Sequence, residues 1–282
     1  MAATAALVSV ALLVGAGLAL LISSPAVELA RAVERTLGTG SARLAVTASV
    51  VDVPVLGEVD LTVADGVVDF ETPAAQIERE VPFLADLAPL PGIDRIASVE
   101  LRYVADGVWL ATPVDVGGRW VRLDRDAAEG QEDAGEGALA LSNPLAVIAL
   151  LRAIDTERVG DVDERGGRTR YAVEIDLDVL AEQLGGDGGR LLAGLRRSYP
   201  DGLLPLEVAV DGDGRIDELS MTTPVDLARL GQLTVNSTVR FSEFGLPVDL
   251  QAPDADDVVD VDPGALNPFD WLADLLDRIP GR

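Results

Sequence analysis

The chain has no cysteine, no histidine and no lysine. Without cysteine it forms no disulfide, offers no thiolate nucleophile and cannot be lipidated at an N-terminal cysteine. Without cysteine and histidine together, Cys/His zinc sites and imidazole-based acid–base catalysis are excluded. All 22 basic residues are arginine. With so much Ala, Gly, Val and Asp, that pattern points first to a GC-rich genome and second to a halophile. Aromatic residues make up only 4%, so the core must be aliphatic.

What is present is acid. Against 22 bases stand 48 Asp and Glu, a net charge of −26. Nucleic-acid affinity comes largely from cations on phosphate, so no nucleic-acid partner is expected. The charge confers solubility and repulsion between copies. The 282 residues, 48% of them hydrophobic, suffice for one large domain or two small ones.

Residues 2–22, "AATAALVSVALLVGAGLALLI", carry no charge. As a helix they span roughly 31 Å, about the thickness of a bilayer core. A cleaved secretory signal has a shorter apolar region, so a transmembrane anchor or uncleaved signal is the first expectation and a signal cleaved near Ser24-Pro25-Ala26 the second. Arg31 and Arg35 follow the span and no base precedes it. Taken alone, that bias places the C-terminal side inside, although a large folded domain translocates regardless of local charge.

Beyond this segment, Pro25 to Leu37 reads as an amphipathic helix with Pro in its first turn and Gly38 at its end. The period then changes to two. In "RLAVTASVVD", Leu44, Val46, Ala48 and Val50 alternate with small or polar residues. In "GEVDLTV", the residues Val59, Leu61 and Val63 are expected to point inward. Asp65-Gly66 and Asp106-Gly107 stand between alternating runs and predict hairpin turns, and Gly117-Gly118 a third turn. The acidic stretch 126–138 reads as a loop. Ser142-Asn143-Pro144 opens a helix, with Leu145, Ile148, Leu151 and Ile154 on its apolar face. "RVGDVDER" and "RTRYAVEIDLDV" read as a hairpin. Two helical pieces follow, 177–184 and 190–197, and then strands at 204–210, 215–222 and 233–241. Tight turns between successive strands make the sheet antiparallel, and helices must cover its apolar face.

No motif carries chemistry. "DGDGRIDE" (211–218) has Arg215 and Ile216 where a calcium loop needs an oxygen ligand and a glycine, so it reads as a β-turn. Asn236-Ser237-Thr238 falls mid-strand. The acid pairs Glu132/Asp133 and Asp256/Asp257 lie in loops with no aromatic platform beside them. In "VRFSEFGLPVDLQAP", Val239 and Phe241 end the last long strand facing inward, Gly245 and Pro247 bend the chain, and "VDLQAP" reads as a short edge strand. The aspartates that follow read as a linker to an amphipathic helix at 263–282.

Four stretches, in order, resemble the LppX/LprAFG-type lipoproteins of actinobacteria, whose fold is related to the periplasmic carrier LolA. They are "GSARLAVTASV", "VADGVWLATPVDVGGRWVRLD", "LLRAIDTERVGDVDERGGRTRYAVEIDLDVL", and "LPLEVAVDGDGRIDELSM" with "VRFSEFGLPVDLQAP". The resemblance covers roughly residues 25–262. Two departures stand out: the lipobox cysteine is missing, and the chain runs on past Asp262.

The resemblance implies an α+β domain built on a large curved antiparallel sheet, a half-open β-barrel, with helices over the concave face. The domains would be an anchor at 1–24, a LolA-like domain at 25–262 and the C-terminal tail. It further implies a non-enzymatic lipid-binding protein without cofactor or metal, held at the cytoplasmic membrane by residues 2–22 with its domain outside. Its partners would be the acyl chains of a lipid or lipoglycan. The residues expected to line the cavity are Val46, Val59, Leu61, Phe70, Leu101, Tyr103, Val173, Ile175, Val208, Val235 and Phe241. The alternative is an envelope sensor or interaction domain of the same fold, with a protein partner at the sheet edge or the C-terminal helix.

Overall fold

The computed structural model describes residues 24–53, 57–80, 98–104, 107–111, 120–123, 140–184, 189–227 and 231–259. The expectations for segments 2–22, 126–138 and 263–282, and for the turn at Gly117-Gly118, lie outside the described residues. Among the described residues no helix is long and apolar enough to cross a membrane.

Among the described residues twelve strands form one sheet: β1 (Ser41–Val53), β2 (Gly57–Asp69), β3 (Ala74–Glu80), β4 (Ser98–Val104), β5 (Gly107–Ala111), β6 (Trp120–Leu123), β7 (Val159–Arg165), β8 (Arg168–Asp176), β9 (Leu203–Val210), β10 (Ile216–Leu227), β11 (Gly231–Ser242) and β12 (Val258–Val259). Their spatial order is β12-β6-β5-β4-β3-β2-β1-β11-β10-β9-β8-β7. Two meanders, β1–β6 and β7–β11, therefore meet at a β1/β11 seam. Every pairing is antiparallel except the short β12/β6 ladder. The helices are α1 (Pro25–Leu37), α2 (Pro144–Ala153), α3 (Leu177–Leu184) and α4 (Gly189–Ser198). The fold is α+β.

Local chemistry explains the helix ends. The Ser24 hydroxyl accepts from the Val27 amide, Pro25 occupies the first turn, and the Gly38 amide closes on Glu34 O at 2.8 Å. Asn143 caps α2 by accepting from the Leu145 and Ala146 amides. α2 is buried on nearly every side, from Pro144 and Ala146 through Val147, Ile148, Ala149, Leu150 and Leu151 to Ala153. A helix apolar all round has to lie inside. It touches both β3 and β8, which stand six strands apart in the sheet. A flat sheet would separate those strands by about 29 Å, and a helix with its side chains is about 10–12 Å wide. The sheet therefore curls around α2, with β7 at one edge and β12 at the other.

The structure corrects several expectations. Asp65-Gly66 makes no turn: β2 runs straight through it. Gly66 lies between Leu44 of β1 and Ile77 of β3, where a Cβ would collide with the Gln76 carbonyl oxygen and sit 2.8 Å from Ile77 Cα. The glycine is there for close backbone approach. The chain turns four residues later, where Asp69 Oδ1 accepts from the Glu71 and Thr72 amides, and it returns as β3, a strand the sequence reading passed over.

Val63 does not point inward either. A β-bulge between Ala48 and Ser49 shifts the register, so Ala64 is buried opposite Val46 and Val63 lies opposite the exposed Thr47. A one-residue slip exchanges the two faces. "VDLQAP" is not a strand: residues 246–254 run without regular structure, and the edge strand is Val258–Val259, parallel to β6.

Other readings agree with the structure. β4 pairs with β5 through Val104↔Gly107, the hairpin expected at Asp106-Gly107. β7 and β8 close through Gly166 and Gly167, both at positive φ (60° and 78°), as a two-residue hairpin loop demands. "DGDGRIDE" forms the β9–β10 turn, with Gly214 N donating to Asp211 O at 3.0 Å.

Candidate functional site

The concave interior gathers most of the residues expected to line a cavity. Val46, Phe70, Leu101, Tyr103, Val173, Ile175, Val208 and Phe241 belong to one buried cluster. They pack with Leu29 of α1, Ile148 and Leu151 of α2, Leu177 and Leu180 of α3, and Leu195 of α4. The Phe70 and Phe241 rings meet edge-on, with centroids 6.0 Å apart. Val235 is buried on the same face, farther along β11 and outside that cluster. Val59 pairs with Val50 beyond the bulge and is half-buried. Leu61 falls at the bulge, and its side chain lies outside the described residues.

Within this apolar interior is a polar island that the sequence reading missed. Arg79 lies across from Ala64 on the concave side of β3. Its Nη2 donates to Ser142 O at 2.8 Å, at the entrance to α2. Arg79 Nε and Ser142 Oγ are buried without a partner among the described residues. Tyr103 completes the group: burial raises its pKa, and the neighbouring Arg79 pulls the other way. Arg79 shares the face of Ala75 and Ile77 on β3, and the register of β2 against β3 brings it inside.

The convex face carries charge. Glu218, almost wholly buried, accepts from Arg170 Nη2 at 3.1 Å and from Arg240 Nε at 2.9 Å, with Arg168 Nη1 3.9 Å away. Asp217 pairs with Arg168 Nη2 at 2.6 Å, yet its Oδ1 has no partner among the described residues. Burial raises the pKa of Asp217; Arg168 opposes the shift, and Asp211 and Glu218 add to it. Among the described residues no group of three or more acids could hold a metal ion.

A second, smaller core lies on the same convex face, toward the other end of the sheet. Ala74, Val104, Trp109 and Trp120 pack there under Leu250 and Val258. The Arg102 guanidinium stacks 4.6 Å over the Trp120 ring, and its Nη1 donates to Gln251 O at 3.1 Å. Residues 246–259 thus form a strap across β4–β6.

A pocket of about 780 Å³ opens on the outer side of β8, β9 and β10, beside the start of β7. Glu157, Arg158, Glu174 and Glu207 stand around it, and Val173 and Leu206, both members of the main core, line it as well.

No family model and no curated protein matches the chain. A solved structure described as "GphF Dehydratase 1" aligns over 76% of this chain and 81% of that one, at 9% identity and a TM-score of 0.13. A likeness that slight carries no argument.

Proposed function

We propose that this chain is an extracytoplasmic lipid-binding protein, anchored in the cytoplasmic membrane by residues 2–22. It holds acyl chains between its helices and the concave face of a half-open, LolA-like barrel. The observation that carries this reading is the single aliphatic layer between the four helices and the curled sheet, to which both meanders contribute. Burying an acyl chain there gains roughly 25 cal/mol per Å² of apolar surface and needs no catalytic group. Small aliphatic side chains suit this task, because they leave contours that bulky rings would fill. The resemblance to the LppX/LprAFG-type lipoproteins supports the reading, and the apolar segment 2–22 supplies the tether that their lipobox cysteine otherwise provides.

A second reading, an envelope sensor or interaction domain, draws on one observation. Edge strand β7 presents Val162, 40% exposed, where a partner strand or protein would pair. The test is native mass spectrometry of residues 24–282, expressed without detergent and keeping the Ser24 cap. Co-purified lipid, or uptake of a fluorescent fatty-acyl ligand, supports the carrier. A protein that is empty and refuses the ligand favours the second reading.

A further inference from the structure

The sheet splits between β9 and β10. Their ladder ends at the pair Glu207↔Ser220, yet β9 reaches back to Leu203 and β10 runs on to Leu227. Each strand carries a proline beyond the last pair, Pro205 and Pro224, and neither can donate to a ladder. The carbonyls of β10 freed by the split are taken by hydroxyls from the end of α4. Tyr199 OH donates to Thr222 O at 2.7 Å, and Ser198 Oγ donates to Pro224 O at 3.1 Å. The pocket of about 780 Å³ touches both sides of this split, with Leu206 and Glu207 on one and Ser220 and Thr222 on the other. Val173 and Leu206 line the pocket and are also part of the main core. Val173 and Leu206 face each other in the β8/β9 ladder, and the split beside them is where β9 and β10 part with no ladder between the pocket and the helices beneath.

We propose that the β9/β10 split is the mouth through which a single-chain amphiphile with an uncharged head enters the interior, with Tyr199 as its latch. This rests on the carrier reading and adds the entrance and the head-group class. The rim decides the head. Three carboxylates, Glu157, Glu174 and Glu207, line it; Arg158 is shared at 3.9 Å between Asp155 and Glu174 and Arg170 pairs with Glu207, which leaves acid in excess. Such a rim repels a phosphate or carboxylate head and accepts hydrogen bonds from hydroxyls. The latch is modest: three neutral hydroxyl bonds, two of them made by Tyr199 OH with Thr222 O and Thr223 Oγ1, hold the end of α4 to β10, and releasing them disturbs no ladder.

The test is photolabelling of the full-length chain in membranes of the expression host, with a diazirine-bearing monoacylglycerol. The fatty acid of the same chain length serves as the anionic comparison. The expected result is label on peptides containing Val173, Leu206 or Tyr199, with the monoacylglycerol labelling more strongly than the acid. Ala172→Trp, at an exposed position in the pocket, should drop the label to background, whereas Thr47→Trp, on the exposed face of β1, should not. Tyr199→Phe removes both hydroxyl bonds and should speed labelling at least about fivefold, the equivalent of one neutral hydrogen bond or more. Interior label that is unchanged in Ala172→Trp overturns the mouth and leaves the carrier standing. Stronger labelling by the acid overturns the head-group assignment. No interior label from either ligand overturns both the mouth and the carrier.

Discussion

Thr36 is fully buried, and its hydroxyl does two things at once. It donates to Ala32 O at 2.8 Å within α1 and accepts from the Ile216 amide at 2.8 Å, beside the β9/β10 bulge. Thr36→Val keeps the shape and orphans a buried N–H, so denaturant unfolding should show a loss of about 1–3 kcal/mol. Thr36→Ser should recover most of it. Glu218 and Asp217 are neighbours with opposite prospects. Glu218→Gln weakens charged bonds from two arginines and should cost about 1.5–3 kcal/mol, less at high salt. Asp217 has a folded pKa above its ordinary value. The stability it contributes is present at low pH and lost as pH rises through that folded value, so its charge works against the fold at neutrality. Asp217→Asn should therefore change stability at pH 7 by less than about 1 kcal/mol.

Among the elements, the helices were legible because their ends are written in side chains: Ser24, Pro25 and Gly38 for α1, Asn143 and Pro144 for α2. The hairpins closed by Gly166-Gly167 and by the Asp211 turn were equally readable. Asp65-Gly66 misled because the same dipeptide serves a turn and a crowded mid-strand position, and only the neighbouring backbone distinguishes them. Gly66→Ala should cost about 1–3 kcal/mol or more in thermal unfolding, since the collision is with backbone. Gly189→Ala, at the open start of α4, should raise stability by up to about 1 kcal/mol. Bulges hide from a period count, which is why Val63 falls on the other face, whereas Arg79 escapes because it lies in β3, a regular strand that the sequence reading passed over. The strap gives an element-scale prediction too. A chain ending at residue 245 uncovers Trp109 and Trp120, its only remaining tryptophans, and their emission should shift to the red.

At the scale of the whole molecule, all three tyrosines, Tyr103, Tyr171 and Tyr199, have raised pKa values, in each case chiefly through burial. Tyr171 is pushed up to about 12, with Glu28 across from its hydroxyl as a further cause. A phenol whose folded pKa exceeds its unfolded value near 10 stabilises the fold fully below pH 10. That contribution is lost as pH rises toward 12. Phenolate absorbance should therefore stay flat past pH 10 and then rise together with the loss of the far-ultraviolet circular dichroism signal. Tyr171→Phe should shallow the alkaline decline in stability. Early, stepwise ionisation in a chain that keeps its signal would contradict the buried placement of these rings.

The two meanders also exchange their outermost pieces. α1, made first, packs against β7 and β10 of the second meander, while β12, made late, pairs with β6 of the first. The seam itself joins residues about two hundred positions apart, as Arg43 and Glu243 show with their 3.0 Å ion pair. Such high contact order slows folding. On the ribosome the first meander lacks its β11 neighbour until residue 242 has emerged and its β12 neighbour until residue 259. The first meander must wait with its edge strand bare, and a chaperone or a nearby membrane surface would be most useful during that interval.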